Sequence, residues 1–484
     1  MQRFEAHPIS RFAGTSRAIR RPREIACFSY DAAHNFRLDD SSMRWYYPPR
    51  VPVDLSRGFE TFQQLDDTAD DHLESLLDTI IDLEKKTGQL CEADIITWRG
   101  MMTKIMATPF DNFNGFEMNA TLYQVGAPKK PAASFSIAHV RQRLTSPGRF
   151  IEENHAYKLE QKRAQNSQRP RPGLPSQELM SFWGYKFETL SLLPQPWDQI
   201  SREFIESREK HIVGNYVQYC SVVRTGIGRC KLVIGGEVDA IWDARPHDPN
   251  DPINWVELKT TQEPLPFSPP SLLKHERKLL KFWIQSFLLG VPKIVVGYRD
   301  QMGWLRRIEE MDTAKIPGHV KRDGTSSWDG NVCINFTSTF LDWLKGIVID
   351  EGVYRIRKRE KHPIIEVFKV EPTGPGDIIS QRFRDWREHR KEAQNEKEMP
   401  GAEGGVDKGE EEKLDSEADR KEQEMLDAQL NNNEKENSGL ELQTEPLKEG
   451  EQRKEMVDAD TDVDADGTPD TEGLEEAIQS AFET

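Results

Sequence analysis

Two apolar segments of the chain carry charged side chains at positions where buried strands are expected. The first reads GGEVDAIWD and the second, which follows after a turn-rich stretch, reads WVELKT. Because successive residues of a strand point to opposite faces, Glu237 and Asp239 are predicted to share one face, and Glu257 and Lys259 to share another. If the two strands are neighbours, three carboxylates and one ammonium group meet at a small patch. A fold for this chain therefore has to hold like charges together inside a sheet.

Such a patch is predicted to bind a divalent cation. Closely packed carboxylates raise one another's pKa, and Mg²⁺, which prefers hard oxygen ligands, removes that conflict. A lysine beside the ion acts as an electrostatic clamp or orients the attacking water. Asp239, followed later by Glu257, Leu258 and Lys259, has the order of the D…(D/E)xK nuclease active site. The ordinary alternative is a solvated strand face that carries glutamate and lysine.

A long helix and a strand are predicted after the second segment. The stretch SLLKHERKLLKFWIQSFLLGVPK indicates a helix whose end is marked by Gly290 and Pro292. Gln285 lies inside its apolar part, where an amide without a partner is costly, so it either bonds the neighbouring backbone or reaches a phosphate site. The next segment, KIVVGYR, is expected to return as a strand beside the charged pair. Two further helices are predicted, over residues 70–86 and 92–106.

Charge divides the chain near residue 400. The net charge is −17, but residues 401–484 carry 28 acidic and 8 basic groups, which leaves the preceding part at about +3. The acidic segment has one aromatic residue and no apolar periodicity, which predicts disorder. At the other end of the chain, we expect a flexible N-terminus over residues 1–20. A single large α+β domain with a mixed β-sheet core flanked by helices is expected over residues 21–390, and a disordered acidic tail over residues 391–484.

Six blocks of sequence, in order along the chain, resemble the DXO family of RNA 5′-end decapping nucleases. They read TWRGMMTKIMATPF, WGYKFE, YCSVVRT, GGEVDAIWD, VELKTT and KFWIQSFLLGVPKIVVGYR. The similarity runs from about Arg21 to about Trp386 and leaves the acidic tail outside it. It implies a nuclease core of the D…(D/E)xK type.

The resemblance also implies roles for individual residues. The metal ligands it implies are Glu188, Glu237, Asp239, Glu257 and the backbone carbonyl of Leu258. The same four carboxylates would form the catalytic set together with Lys259 and Gln285, which also contact the RNA 5′ phosphates. The substrate-binding residues that it implies are Trp98, Arg99, Gly100, Cys220 and Glu237, together with Lys259 and Gln285.

The function implied by the resemblance is hydrolysis at RNA 5′ ends that depends on Mg²⁺, for which Mn²⁺ can substitute. Substrates in the family include 5′ triphosphates, incompletely methylated caps and NAD caps. Some fungal members bind the nuclear 5′-to-3′ exoribonuclease, so a nuclear location and RNA quality control are expected. Three alternatives stay open: a stand-alone decapping exonuclease, a non-catalytic activating subunit of the exoribonuclease, and a DNA nuclease with a related active site.

Overall fold

Two mixed β-sheets form the framework of the protein. The computed structural model describes residues 1–124, 148–167, 173–248, 251–322 and 324–398. In spatial order, the ten-stranded sheet comprises β1 (Gln2–Glu5), β17 (Ile364–Glu371), β16 (Val353–Lys358), β7 (Phe116–Tyr123), β8 (Gly148–Glu153), β6 (Ile95–Trp98), β11 (Cys230–Glu237), β10 (Gln218–Ile227), β2 (Ile19–Tyr30) and β3 (Phe36–Arg37). The seven-stranded sheet comprises β5 (Val53–Asp54), β15 (Trp304–Asp312), β14 (Lys293–Arg299), β13 (Trp255–Gln262), β12 (Ala240–Ile241), β4 (Trp45–Tyr46) and β9 (Leu192–Leu193).

Helices pack on both sheets. The described residues contain α1 (Glu74–Thr87), α2 (Arg99–Ala107), α3 (His155–Asn166), α4 (Gln177–Ser191), α5 (Arg202–Ser207), α6 (Pro269–Leu289), α7 (Ile316–Arg322), α8 (Gly330–Ile347) and α9 (Gln381–Glu398). The largest buried apolar cluster joins residues of α2, α6 and α8 to the ten-stranded sheet, and another places α4 against β13. The predicted α+β class with a mixed sheet core is confirmed. None of these helices is both long enough and apolar enough to cross a membrane.

The predicted neighbourhood of the WVELKT strand is also confirmed. Strand β12 pairs antiparallel with β13, and Ala240 lies opposite Val256. Strand β14, which is the KIVVGYR segment, pairs parallel with β13 on its other side. The parallel crossover between β13 and β14 is helix α6, which ends where Gly290 adopts φ 72°, a left-handed conformation that glycine tolerates without strain.

The segment GGEVDAIWD is divided between the two sheets instead of forming one strand. Strand β11 ends at Glu237 in the ten-stranded sheet, and β12 begins at Ala240 in the seven-stranded sheet. Between them, the Val238 N–H donates to the carbonyl of Tyr219 at 3.0 Å. Asp239 therefore lies on the short link that crosses from one sheet to the other.

Two expectations about local structure differ from the structure. Residues 92–106 are not one helix, because the β-branched run of Ile95, Ile96 and Thr97 forms β6, which pairs parallel with β11 and β8, and helix α2 begins only at Arg99. The helix expected over 70–86 is confirmed as α1, although it begins at Glu74 and extends one residue further.

The first twenty residues, which we expected to be flexible, take part in the fold. Strand β1 pairs antiparallel with β17 at the edge of the ten-stranded sheet. Phe4 and Phe12 are buried, and the Phe4 ring contacts Phe336 and Phe340 edge to face. A segment that fills an aromatic core in this way is held by packing. Of the disordered tail predicted over residues 391–484, residues 391–398 instead belong to α9, and the remainder lies outside the described residues.

Candidate active site

Four carboxylates from different elements share one buried electrostatic environment. Glu188 comes from α4, Glu237 from the end of β11, Asp239 from the link to β12, and Glu257 from β13. Burial raises the pKa of Glu188 well above its usual range, and repulsion from Asp239 and Glu237 raises it further. Burial likewise raises the pKa of Glu237 to about 8 and that of Asp239 to about 7, each with a contribution from a neighbouring carboxylate. Like charges are therefore brought together, but by a helix, two strands and the link between the sheets rather than by two neighbouring strands alone.

Glu257 is held in the ionised form by two cations. The Arg99 Nη1 atom lies 3.1 Å from its Oε2, and the Lys259 Nζ lies 3.0 Å from its Oε1. Burial raises the pKa of Glu257, but Arg99 and Lys259 outweigh burial, so the pKa lies below its usual range. Charge-assisted contacts of this kind are stronger than neutral hydrogen bonds.

Asp239 is fixed by the backbone of the neighbouring strand. Its Oδ2 accepts a hydrogen bond of 2.6 Å from the N–H of Leu258. Leu258 is itself fully buried in β13 between Glu257 and Lys259. The hydrogen bond thus joins the sheet-crossing link to the strand that carries the ELK sequence, and places a carboxylate beside the backbone of Leu258.

The donor chemistry of this cluster fits a hard divalent cation. Buried carboxylates that repel one another and have raised pKa values are stabilised by a cation, and their oxygens are the ligands that Mg²⁺ and Ca²⁺ prefer. Among the residues that the structure describes, however, no group of three or more His, Cys, Asp and Glu side chains is arranged so that it could hold a metal ion. The four carboxylates therefore share one buried environment without being set at coordination geometry.

A cavity of about 290 Å³ opens beside the cluster. Its lining includes five of the residues that the resemblance implied for substrate binding, namely Trp98, Arg99, Gly100, Cys220 and Glu237, whereas Lys259 and Gln285 are not part of it. Cys220 on β10 lies directly opposite Glu237 on β11. The cavity and the carboxylate cluster therefore share Arg99 and Glu237.

The glycine pair of the GGEVD sequence creates space for the cavity wall. A Cβ atom on Gly235 would lie 2.7 Å from the Trp98 ring, and one on Gly236 would lie 2.9 Å from the Cβ of Arg99. Because real Cβ atoms do not approach that closely, side chains at these positions would displace Trp98 and Arg99. Glycine is required here for close approach of side chains to the strand.

Gln285 lies in the buried part of α6, a helix that packs on β13. The Nζ of Lys259 is 5.9 Å from the centre of the Phe282 ring, three residues before Gln285. Residues three apart lie on the same side of a helix, so Gln285 belongs to the side of α6 that faces Lys259. Its amide is not among the groups that line the cavity beside Trp98.

Sequence reasoning missed a histidine–glutamate pair in the cavity wall. The Nδ1 of His72 lies 3.0 Å from the Oε2 of Glu152, and both residues line the cavity. The carbonyl of His72 accepts a hydrogen bond of 3.0 Å from the indole N–H of Trp98. His72 and Glu152 lie 80 positions apart and belong to no motif, so no local signal could have paired them. His72 also has φ 43°, a strained backbone for a non-glycine residue.

Known proteins resemble this chain over the same region. A family model described as "RAI1 like PD-(D/E)XK nuclease" matches residues 20–126 and 143–384. A protein of Aspergillus fumigatus named Decapping nuclease RAI1 is 59% identical over 384 residues, which is 79% of this chain and 98% of the relative. The protein of the same name in Neurospora crassa is 54% identical over 384 residues, covering 79% of this chain and 87% of the relative.

Solved structures of the same kind share the fold. The Candida albicans Rai1 structure in complex with pU5 and Mn²⁺ superposes with a TM-score of 0.68 at 28% identity, and the match covers 78% of this chain and 98% of that one. The Scheffersomyces stipitis Rai1 structure with (3′-NADP)⁺ and a calcium ion gives 0.67 at 27% identity and covers 80% and 100%. This chain therefore belongs to the RAI1-like PD-(D/E)XK nuclease family, whose curated relatives are named decapping nucleases.

Proposed function

We propose that this decapping nuclease hydrolyses phosphoanhydride and phosphodiester bonds at RNA 5′ ends with Mg²⁺ as its ion. One observation carries the proposal: four carboxylates in one buried environment adjoin a cavity lined by aromatic side chains, with Arg99 at their junction and Lys259 paired with Glu257. The proposed metal ligands are Glu188, Glu237, Asp239, Glu257 and the carbonyl of Leu258. The solved relatives support a divalent ion, because one is a complex with Mn²⁺ and another a complex with calcium.

The side chains at this site have separate roles in the proposed reaction. When bound, Mg²⁺ supplies an acidified water and stabilises the charge that develops on the phosphoryl group. Lys259 and Gln285 contact the 5′ phosphates, and the fixed ammonium of Lys259 opposes their negative charge. Arg99 holds Glu257 ionised and presents its guanidinium to the cavity, where a phosphate accepts from it.

We propose that the cavity accepts chemically different 5′ ends, namely triphosphates, incompletely methylated caps and NAD caps. Trp98, Tyr30 and Phe28 contribute aromatic surface to the lining, and stacking on such rings tolerates different bases. The solved relatives were captured with a 5′-phosphorylated RNA and with a nicotinamide dinucleotide. A site that attacks the bond nearest the first nucleotide can release several leaving groups.

The test of this activity compares RNAs that differ only at the 5′ end. Triphosphate, capped, NAD-capped and monophosphate RNAs are incubated with Mg²⁺ or with chelator, and the released products are identified. We expect pyrophosphate from triphosphate RNA with Mg²⁺ alone, and loss of hydrolysis by at least 100-fold in the double variant Glu237→Gln, Asp239→Asn. Glu366→Gln serves as the control and should keep activity, because it removes a buried carboxylate that is paired with Arg357 on strands far from the active site.

Unchanged hydrolysis in the double variant would mean that the proposed site is wrong. Mg²⁺-dependent cutting of DNA without any RNA 5′ end would favour the DNA nuclease alternative.

We further propose that the protein acts in the nucleus as a partner of the 5′-to-3′ exoribonuclease. The resemblance of the chain to fungal relatives supports this, and the presence of every proposed catalytic residue argues against a purely activating subunit. In co-purification, the Glu237→Gln, Asp239→Asn variant should retain the exoribonuclease while losing hydrolysis. A protein that degrades monophosphate RNA alone, and never co-purifies with an exoribonuclease, would instead be a stand-alone decapping exonuclease.

A further inference from the structure

A second cavity, separate from the carboxylate cluster, is lined by five lysines. It has a volume of about 130 Å³, roughly ten times the space that one water molecule needs. Its walls are formed by α2, the residues between α2 and β7, the start of β7, the end of β8, helix α3, the end of β16 and one residue of α6. The lysines are Lys104, Lys158, Lys162, Lys281 and Lys358. We call this space the lysine cavity.

The lysine cavity holds more positive than negative charge. Its lining carboxylates are Asp111 and Glu153, so five lysines against two carboxylates leave about three positive charges. Two carboxylates just outside the lining reduce the excess to about one: Asp67 pairs with Lys158 and Lys162, and Glu360 accepts a hydrogen bond from Gln161 and interacts with Lys358. Such a surplus, within a body of near-neutral charge, favours an anion.

Ion pairs hold the lysines in place around the space. Lys104 lies 2.6 Å from Glu153, and Lys281 lies 3.5 Å from Asp111. Asp111 is in turn fixed by hydrogen bonds of 3.1 and 2.9 Å from the backbone and side-chain amides of Asn114. Ammonium groups positioned in this way lose little conformational freedom when an anion binds.

Lys358 is the strongest sign that the cavity favours an anion. Its side chain is fully buried, and its Nζ donates to the backbone carbonyl of Asn114, a neutral partner. Burial lowers the pKa of Lys358, the carboxylates of Asp111 and Glu360 oppose this effect, and the positive charge of Lys281 lowers the pKa again. Buried ammonium groups are costly unless they are compensated, and an anion between Lys358 and Lys281 adds to the compensation and screens the repulsion between them.

The lysine cavity adjoins the aromatic cavity of the candidate active site. Glu153 and Lys158 line both spaces. Helix α2 begins at Arg99 in the wall of the active-site cavity and borders the lysine cavity from Thr103 to its last residue, Ala107. At 1.5 Å per residue, the two spaces are offset by roughly 10 Å along this helix.

We propose that the lysine cavity is a phosphate-binding site. Two sources supply that chemistry: a backbone phosphate of the RNA whose 5′ end occupies the active-site cavity, and a free polyanion such as pyrophosphate. The first source rests on the proposed function, whereas the second does not. The fixed lysines, the buried Lys358 and the shared wall residues favour the RNA backbone.

The test uses the full chain with the substitutions Lys162→Gln and Lys281→Gln, whose side chains are 35% and 17% exposed. The matched control is Lys293→Gln with Lys345→Gln, because these lysines are 30% and 21% exposed and are also paired with acidic residues. A third variant, Lys162→Arg with Lys281→Arg, keeps the charge. Near-identical melting temperatures across the set confirm that each variant is folded.

Binding of 5′-monophosphate oligouridylates of increasing length is measured in chelator, so that no hydrolysis occurs. We expect the Gln variant to bind the dinucleotide as the wild type does and to bind longer RNAs about tenfold more weakly. The slope of log affinity against log salt should become shallower by about 0.7 for each RNA phosphate that the variant no longer neutralises. The control should match the wild type, and the Arg variant should restore binding of the longer RNAs.

Pyrophosphate separates the two sources. If pyrophosphate raises the melting temperature of the wild type but not of the Gln variant, while RNA binding is equal at every length, the cavity binds a free polyanion. If neither RNA length dependence nor pyrophosphate binding differs between the Gln variant and its control, the proposal is overturned. Hydrolysis of a triphosphate dinucleotide should be equal in all variants, and its absence in the wild type would refute the proposed function alone.

Discussion

Replacement of Arg99 by methionine removes one of the two cations that contact Glu257. The pair is buried, with the arginine side chain 5% and the glutamate side chain 1% exposed, and it is 3.1 Å long. Removal of one partner from a buried ion pair costs about 3–5 kcal/mol. Because Lys259 still lies 3.0 Å from the other oxygen of Glu257, we expect the lower end, about 3 kcal/mol. The variant should also raise the pKa of Glu257, since Arg99 is the largest cause that lowers it.

The assay is a double-mutant cycle measured by urea unfolding in chelator. The variants are Arg99→Met, Glu257→Gln and their combination, and two spectroscopic probes establish whether a single transition is followed. Residues in direct contact show coupling energies of about 0.5–3 kcal/mol, and we expect about 2 kcal/mol here. Addition of 0.5 M salt should leave the coupling nearly unchanged, because buried pairs are screened far less than exposed ones.

Two results would refute this reasoning. A coupling energy close to zero would show that Arg99 and Glu257 do not interact in solution, and the arrangement of the site would be wrong. A coupling that disappears in 0.5 M salt would show that the pair is exposed to solvent. Lys345→Gln provides the comparison, because its partly exposed pairs with Asp94 and Asp342 should contribute less than about 1 kcal/mol.

Three further predictions concern the same site and the boundary of the domain. In chelator, the pKa is raised to about 7 for Asp239 and to about 8 for Glu237, so the folded protein keeps protons that the unfolded chain releases near pH 4. The contribution of these bound protons to the free energy of unfolding is therefore intact below about pH 4 and is lost as the pH rises through 7 and 8. The loss is at most about 1.4 kcal/mol per pH unit for each carboxyl group. Mg²⁺ should flatten this dependence in urea unfolding, and a wild-type curve in chelator that is already flat would contradict the pKa shifts. Gly236→Ala should displace Arg99 and reduce hydrolysis at least tenfold in a steady-state assay, with a smaller effect on unfolding; full activity would show that the close approach is not needed. Deletion of residues 399–484 should leave cooperative unfolding and hydrolysis intact, and loss of either in calorimetry or in the 5′-end assay would mean that the tail is part of the fold.

The family and the enzyme class could be predicted from sequence because the residues that indicate them lie in short, recognisable segments. The order of Asp239, Glu257 and Lys259 indicated a nuclease, and comparison with relatives confirmed that family. The neighbouring strand KIVVGYR and the end of α6 near Gly290 were also predicted correctly. Local patterns of alternation and of helix termination were sufficient for these features.

The parts that could not be predicted depend on contacts between distant residues. The alternation of GGEVDAIWD continues without interruption, so it gave no sign that the strand breaks after Glu237. The link after Glu237 is held by a hydrogen bond from the Val238 N–H to Tyr219 and by one from the Leu258 N–H to Asp239, both of which join separate segments. The pair of His72 and Glu152 was missed for the same reason. The packing of Phe4 against α8 likewise overrode the polar appearance of the N-terminus.

The division of the acidic residues between two sheets has a mechanical consequence for the enzyme. Glu237 belongs to one sheet and Glu257 to the other, with only Val238 and Asp239 between the end of β11 and the start of β12. An ion bound by both carboxylates would connect the two sheets, so that local opening between the sheets would weaken the binding of the ion. The exchange rate of the ion and the amide hydrogen exchange of Val238 and Asp239 should then rise and fall together.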